Sequence, residues 1–310
     1  MSIADAAGAP SAPSAPRIAA VLGMGIVAVS FASILIRWAA APALSTAFYR
    51  LLFASVFFWM THGQATLKEW RGAAPALLGW SGLSGMALAV HFAAWITSLS
   101  LTSVSSSVVL ISTTPLWVAL GTTFFLRESV RLQFVIGLMV ALGGAILISA
   151  TDAATGQDSL WGDVLAVVGA MAGAVYLMIG RRVQRELNTW AYVTAAYSAA
   201  AIALLVWAIL AGAPLRGFDG RTYGLFALIA LVPQVVGHTS FNWALRYLSA
   251  PLVSVMLLGE PLGATMLAYF LLDEELSLAK IVGGGLTLAG VMLAAASERA
   301  ARKNAGHEKK

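Results

Sequence analysis

There is no cysteine in the 310 residues. A disulfide framework, a thiolate metal site and a cysteine nucleophile are therefore excluded. Charge is scarce as well: Asp, Glu, Lys and Arg together make up 11% of the chain, against about 25% in an ordinary soluble domain. The chain has no Gly-rich Walker loop and no H-E-x-x-H helix, so neither ATP hydrolysis nor metalloprotease chemistry is expected, and no cofactor or metal is implied. What fills the space is apolar, at 59% of residues. A soluble fold of this size could not hide so much apolar surface, whereas a chain dissolved in lipid does not need to. The net charge of +5 and pI of about 9.7 would suggest a nucleic-acid partner in a soluble protein. Here the basic residues sit in short connections between apolar runs, where they report orientation in a bilayer, and no nucleic-acid partner is expected.

Ten apolar runs cover residues 18–36, 44–61, 73–98, 103–126, 132–150, 160–181, 189–212, 222–247, 250–272 and 278–297. Each is close to the roughly 20 residues that carry a helix across a 30 Å hydrocarbon core. None shows the alternation of a lipid-facing barrel strand. The sequence thus predicts an all-α integral membrane protein with ten transmembrane helices. Residues 1–16, rich in Ala, Pro, Ser and Gly, read as a disordered tail. The first run resembles a signal peptide, with Ala39-Ala40-Ala41 as a small-residue cleavage site. It is long enough to span, however. Its Val21-Leu22 and Ile36 also align with Val164-Leu165 and Ile179 at an offset of 143, which makes it part of a repeat.

The second copy of that repeat is clearest after Pro115. Pro115-Leu116, Phe124, Leu126, Glu128, Leu132, Gly137, Leu142, Gly144 and Leu147 recur as Pro261-Leu262, Phe270, Leu272, Glu274, Leu278, Gly283, Leu288, Gly290 and Leu293, at a constant offset of 146. A duplication of this size organises the whole chain. The domains read as a first repeat over 17–150, a periplasmic linker over 151–159, a second repeat over 160–298 and a basic tail over 299–310. With the N-terminus in the cytoplasm, fourteen basic residues fall inside, among them Lys68, Arg127, Arg131, Arg181, Arg182 and Arg299. Only Arg216, Arg221 and Lys280 fall outside, and the acidic Asp273-Glu274-Glu275 turn lies with them. Both termini are then cytoplasmic. Five spans per repeat forces the second repeat to enter from the opposite face, giving two five-helix inverted-topology repeats, a recurring plan of secondary transporters.

With these features the chain resembles the drug/metabolite transporter superfamily, EamA family. The residues that carry the likeness are Thr114-Pro115-Leu116, Leu126-Arg127-Glu128 and Gly137, with Glu260-Pro261-Leu262, Leu272-Asp273-Glu274 and Gly283 as their second-half partners. Within the family it is most similar to bacterial aromatic amino-acid exporters of the YddG type. The resemblance implies a basket of helices around a central cavity, lined mainly by the third, fourth, eighth and ninth spans. It implies a secondary exporter of small metabolites, amino acids including aromatic ones, working by alternating access in the bacterial inner membrane as a monomer or weak dimer.

Candidate substrate contacts follow from polar and aromatic residues inside the spans. His91, Trp95 and Ser98 share one face of the third span, near Ser84, and Gln234, His238 and Asn242 share one face of the eighth. Polar groups at that depth are costly unless paired or wetted. Interhelical hydrogen bonds explain any one of them, and two stripes at matching repeat positions point to a cavity. Trp117, Trp243 and Tyr176 could supply flat apolar walls with one polar handle, and Ser112 and Thr114 lie beside the proline. Glu260 is the only carboxylate well inside a span, so its role is either coupling or structural. Arg50 is a candidate partner; protonation, or bonding to backbone freed by Pro261, would serve as well. Pro115 and Pro261 should break or kink their helices. The small-residue faces around Gly137, Ala141, Ala145, Gly283 and Gly290 allow close helix approach, most simply within one chain.

Two rivals remain. One is a carrier of the same fold for drugs, cationic dyes or nucleotide sugars; a cation carrier would favour a central carboxylate, which Glu260 could supply. Gly82-Leu83-Ser84-Gly85 resembles the nucleophile motif of a rhomboid-like intramembrane serine protease, with His238 as base. Among 29 glycines that motif is easily met by chance, and an inverted duplication has no evident use in a protease.

Overall fold

A computed structural model describes residues 13–102, 107, 110–125, 131–150, 160–272 and 277–307. Every regular element among them is a helix. In the first half these are α1 (Ala15–Ser30), α2 (Ala32–Ala39), α3 (Ala43–Gly72), α4 (Pro75–Ser98), α5 (Thr114–Phe125) and α6 (Leu132–Ala150). In the second half α7 (Leu160–Val183), α8 (Thr189–Leu210) and α9 (Gly220–Ile229) lead into a π-helical segment, Ala230–His238. Then come α10 (Thr239–Ala244), α11 (Ala250–Met256), α12 (Gly259–Leu272) and α13 (Leu278–His307). Most of the expected tail 1–16, the linker 151–159, the Arg127-Glu128 turn and the Asp273-Glu274-Glu275 turn lie outside the described residues.

Among the described residues, eight stretches are long and apolar enough to cross a membrane: Ala15–Ala39, Ala43–Gly72, Pro75–Ser98, Leu160–Val183, Thr189–Leu210, Gly220–Ala244, Ala250–Leu271 and Leu278–Ser297. Leu132–Leu147 is a shorter apolar helix, and the expected span 103–126 is described only in part. The protein is a multi-pass membrane protein. Its helix starts follow ordinary capping rules. Pro75 and Pro251 occupy first-turn positions, where a missing N–H costs nothing. The side chains of Asn188, Asp219 and Ser249 accept from Ala191 N, Thr222 N and Leu252 N, each satisfying an orphan donor.

Two elements outrun their expected ends. α3 continues past 61 to Gly72 because Gln64, Ala65, Leu67, Lys68 and Glu69 are good helix formers and the next breaker is Pro75. α13 likewise runs through the basic tail to His307. The first span breaks at Phe31, between α1 and α2.

α3 and α8 lie antiparallel and are bonded along their length. Ser45 Oγ donates to Pro214 O and Tyr49 OH to Leu215 O just past the end of α8. Ser55 and Ser198 share a 2.7 Å hydrogen bond at mid-length. At the other end the Glu69 carboxylate accepts from Asn188, and Trp70 Nε1 donates to Ala191 O. α6 and α13 pack closer still. A Cβ on Gly137 would lie 2.7 Å from Ala294 N and 2.8 Å from Gly290 O, and one on Gly144 would strike Gly283 O and Thr287. Small-residue faces thus meet within one chain. α4 packs on α7 and α8, the π segment on α1 and α3, α5 on α7, and α12 on α1.

Candidate functional site

The two proline-bearing segments are broken outright. Residues 112–113 and 257–258 form turns, and α5 and α12 begin just after them. Leu116 N bonds back to Thr113 O at 2.8 Å and Glu260 N to Leu257 O at 2.9 Å. Pro115 and Pro261 therefore sit in the first turn of a new half-helix, where an N–H is not needed. Glu260 shares that first turn in α12, at the positive end of the helix dipole, which favours a carboxylate.

Between these half-helices lies a cavity of about 100 Å³. His91, Trp95, Ser112, Thr114, Pro115, Tyr176, His238, Asn242, Glu260, Pro261 and Arg50 all line it, with Phe241, Leu88 and Gly173 among its apolar wall. His91 is held by α7: its Nδ1 lies 2.8 Å from Gly169 O. A carbonyl only accepts, so Nδ1 carries the proton and Nε2 is the free ring nitrogen. A Cβ on Gly173 would lie 2.8 Å from the same Nδ1, so that glycine makes room for the ring. Trp95 stacks on His91 with centroids 6.3 Å apart, and Phe92 meets His238 edge-on at 5.3 Å.

Below the aromatic wall a buried polar network ties α3, α4, α7, α8 and the π segment together. Arg50, fully buried, lays its guanidinium 4.0 Å over the Phe92 ring, and its Nε donates to Gln234 Oε1 at 2.7 Å. Thr239 Oγ1 donates to Gln234 O and lies 3.1 Å from Tyr197 OH. Asn242 Nδ2, with two protons to donate, lies 2.6 Å from Tyr176 OH, 3.2 Å from Tyr197 OH and 2.9 Å from His238 O. Ser84 Oγ reaches Tyr192 OH at 2.6 Å, so this serine is spent on a tyrosine hydroxyl.

The structure departs from the sequence expectation at four points. Arg50 forms no ion pair with Glu260 and turns to Gln234 and Phe92 instead. Gln234 does not itself line the cavity; its Oε1 accepts from Arg50 Nε, which does. Ser98 bonds Trp95 O and Ser107. Trp117 and Trp243 are not among the cavity-lining residues: Trp117 Nε1 donates to Thr113 Oγ1 and Trp243 packs on Tyr247. Phe92, Tyr192 and Tyr197 were not anticipated. Their roles arise from contacts across long sequence separations that periodicity does not report.

The profile of the EamA-like transporter family matches residues 17–150 and 160–296. The chain belongs to this family. Relatives of this EamA-like transporter include an uncharacterized transporter of Archaeoglobus fulgidus, 25% identical over 81% of this chain and 87% of the relative. Another, from Clostridium kluyveri, is 23% identical over 66% of this chain and 68% of its own. The uncharacterized transporter YyaM of Bacillus subtilis is 22% identical over 68% and 71%. A solved crystal structure, described only as that of a protein, superposes with a TM-score of 0.77 over 92% of this chain and 99% of that one, at 18% identity. At that identity it speaks for the fold alone. The EamA-like chain is thus a membrane transporter and not an enzyme, which retires the intramembrane protease reading.

Proposed function

We propose that this EamA-like transporter is a secondary exporter of small metabolites, amino acids including aromatic ones, across the bacterial inner membrane by alternating access. The observation that carries the reading is that one cavity draws repeat-equivalent residues from both halves. Pro115 and Pro261, and Thr114 and Glu260, are each 146 apart, and His91 and His238 are 147 apart. Aromatic walls beside polar groups suit an amino acid with an aromatic or aliphatic side chain.

The reading includes ten spans in two inverted repeats, 17–150 and 160–298, joined by a periplasmic linker at 151–159, with both termini cytoplasmic. Contacts between equivalent positions support it. Ser55 meets Ser198, 143 residues away, and Thr287 Oγ1 donates to Ala141 O, 146 residues away. The Gly137–Gly290 approach has its repeat counterpart in Gly144–Gly283. Residues meet their own equivalents only near a twofold axis, here one lying in the membrane plane. The cysteine-free chain permits single-cysteine labelling in intact cells. A cysteine at 154 should react with an impermeant maleimide and one at 305 should not; the reverse, or both reacting alike, defeats this topology.

Glu260 in the cavity favours a second reading, a carrier of cationic compounds. Purified protein in liposomes, loaded with labelled amino acids or with a cationic dye, separates the two. Amino-acid exchange without dye movement is the expected result, and dye movement alone overturns the proposal.

A further inference from the structure

Residues lining the cavity carry polar atoms that nothing among the described residues satisfies. Nη1 and Nη2 of Arg50, Nε1 of Trp95 and Oδ1 of Asn242 are all buried with no hydrogen-bond partner among the described residues. All three residues line the same cavity, as does Glu260. Arg50 is 0% exposed, Asn242 1% and Trp95 5%. A buried polar atom is normally paired, and a buried cation without an acceptor is among the most expensive features a protein can carry. Arg50 spends only Nε on the protein, and Phe92 and Gln234 fix its plane. The two outer nitrogens form the half of a guanidinium that grips a carboxylate in a bidentate pair.

We infer that Arg50 is the carboxylate-binding residue of the substrate site, with Trp95 Nε1 as a further donor, and that Glu260 and Asn242 Oδ1 accept from the substrate ammonium group. The site suits a zwitterion: the unfilled donors of Arg50 and Trp95, the unfilled acceptor of Asn242 and the Glu260 carboxylate all belong to residues lining one small space. This rests on the amino-acid reading above and deepens it. It also explains why Arg50 and Glu260 share a cavity without pairing. A zwitterion supplies each with its opposite charge and leaves no net charge behind.

The test compares phenylalanine with two analogues lacking the free carboxylate, phenethylamine and phenylalaninamide, and with 3-phenylpropionate, which lacks the ammonium. In liposome counterflow, phenylalanine should compete at least about tenfold better than either carboxylate-free analogue, as expected when a buried charged donor is left unpaired. Arg50→Gln should erase that discrimination and Arg50→Lys should restore part of it. In detergent, 3-phenylpropionate should raise the melting temperature of the wild type and leave that of Arg50→Gln unmoved. If Arg50→Gln does not fold, the wild-type series decides by itself. Equal competition by phenylalanine and phenethylamine, discrimination that survives Arg50→Gln, or no thermal shift with 3-phenylpropionate overturns this inference. A wild type that exchanges no amino acid but still binds 3-phenylpropionate through Arg50 overturns the amino-acid reading instead.

Discussion

Gly137 and Gly143 lie on the same helix, yet the structure assigns them opposite responses to one added methyl. On Gly137 the new Cβ would sit 2.7 Å from Ala294 N and 2.8 Å from Gly290 O, both backbone atoms of α13 that no rotamer change can move. On Gly143 nothing lies within 4 Å. Ordinary contact requires α6 and α13 to part by about 0.7 Å, and a gap of that size forfeits a quarter to a half of each atom pair's dispersion attraction along the seam. Both variants gain up to about 1 kcal/mol of helix propensity. The difference between them therefore isolates the clash, which should cost Gly137→Ala about 1–3 kcal/mol relative to Gly143→Ala. Steric-trap unfolding in bicelles measures that difference directly, and the thermal midpoint in detergent should fall in the same order. Equal stabilities, or a more stable Gly137→Ala, would mean that α6 and α13 do not meet in so close a seam.

Other outcomes follow from the site and its surroundings. His91→Ala or Trp95→Ala should alter amino-acid exchange with little change in melting temperature, and unchanged transport in both would remove the argument from the paired stripes. Gly173→Ala should push the His91 ring off Gly169 O, since its Cβ would lie 2.8 Å from Nδ1. Losing that hydrogen bond, worth about 1 kcal/mol, should weaken apparent substrate affinity about fivefold; an unchanged KM refutes it. Outside the spans, hydrogen bonds from the Thr222 side chain and backbone N–H hold the exposed Asp219 carboxyl below the usual aspartate range. Its cap on α9 is in force above the ordinary carboxylate pKa and fails as pH falls through the depressed value. Hydrogen exchange in residues 220–223 should accelerate over that acidic window in the wild type and stay flat in Asp219→Asn, which caps without titrating.

The long apolar runs and their breakers carried most of the architecture in plain view. Pro75, Pro115, Pro251 and Pro261 each mark a helix start, and the Pro-Leu pairs located the two halves of the cavity. What escaped notice depends on geometry rather than pattern. Periodicity says that His238 and Asn242 share a face but not which way that face points, so Trp117 and Trp243 were grouped with the cavity and lie elsewhere. Arg50 was noticed for its charge, but Phe92 and Gln234, the side chains that hold it, stand 42 and 184 residues away, and no local signal joins them.

The bonds that run the length of α3 and α8 bear on how the cavity would change sides under the alternating access proposed above. Fastened at both ends and at the middle, the two cannot slide past one another without breaking every tie at once. Under the proposed alternating access they would make a mast, and the rigging that swings would be the interrupted segments, α5, α11 and α12, whose turns at 112–113 and 257–258 break the helices. Arg50 stands on the mast. On that reading the proposed anchor for a passing molecule would hold still while the walls around it trade places.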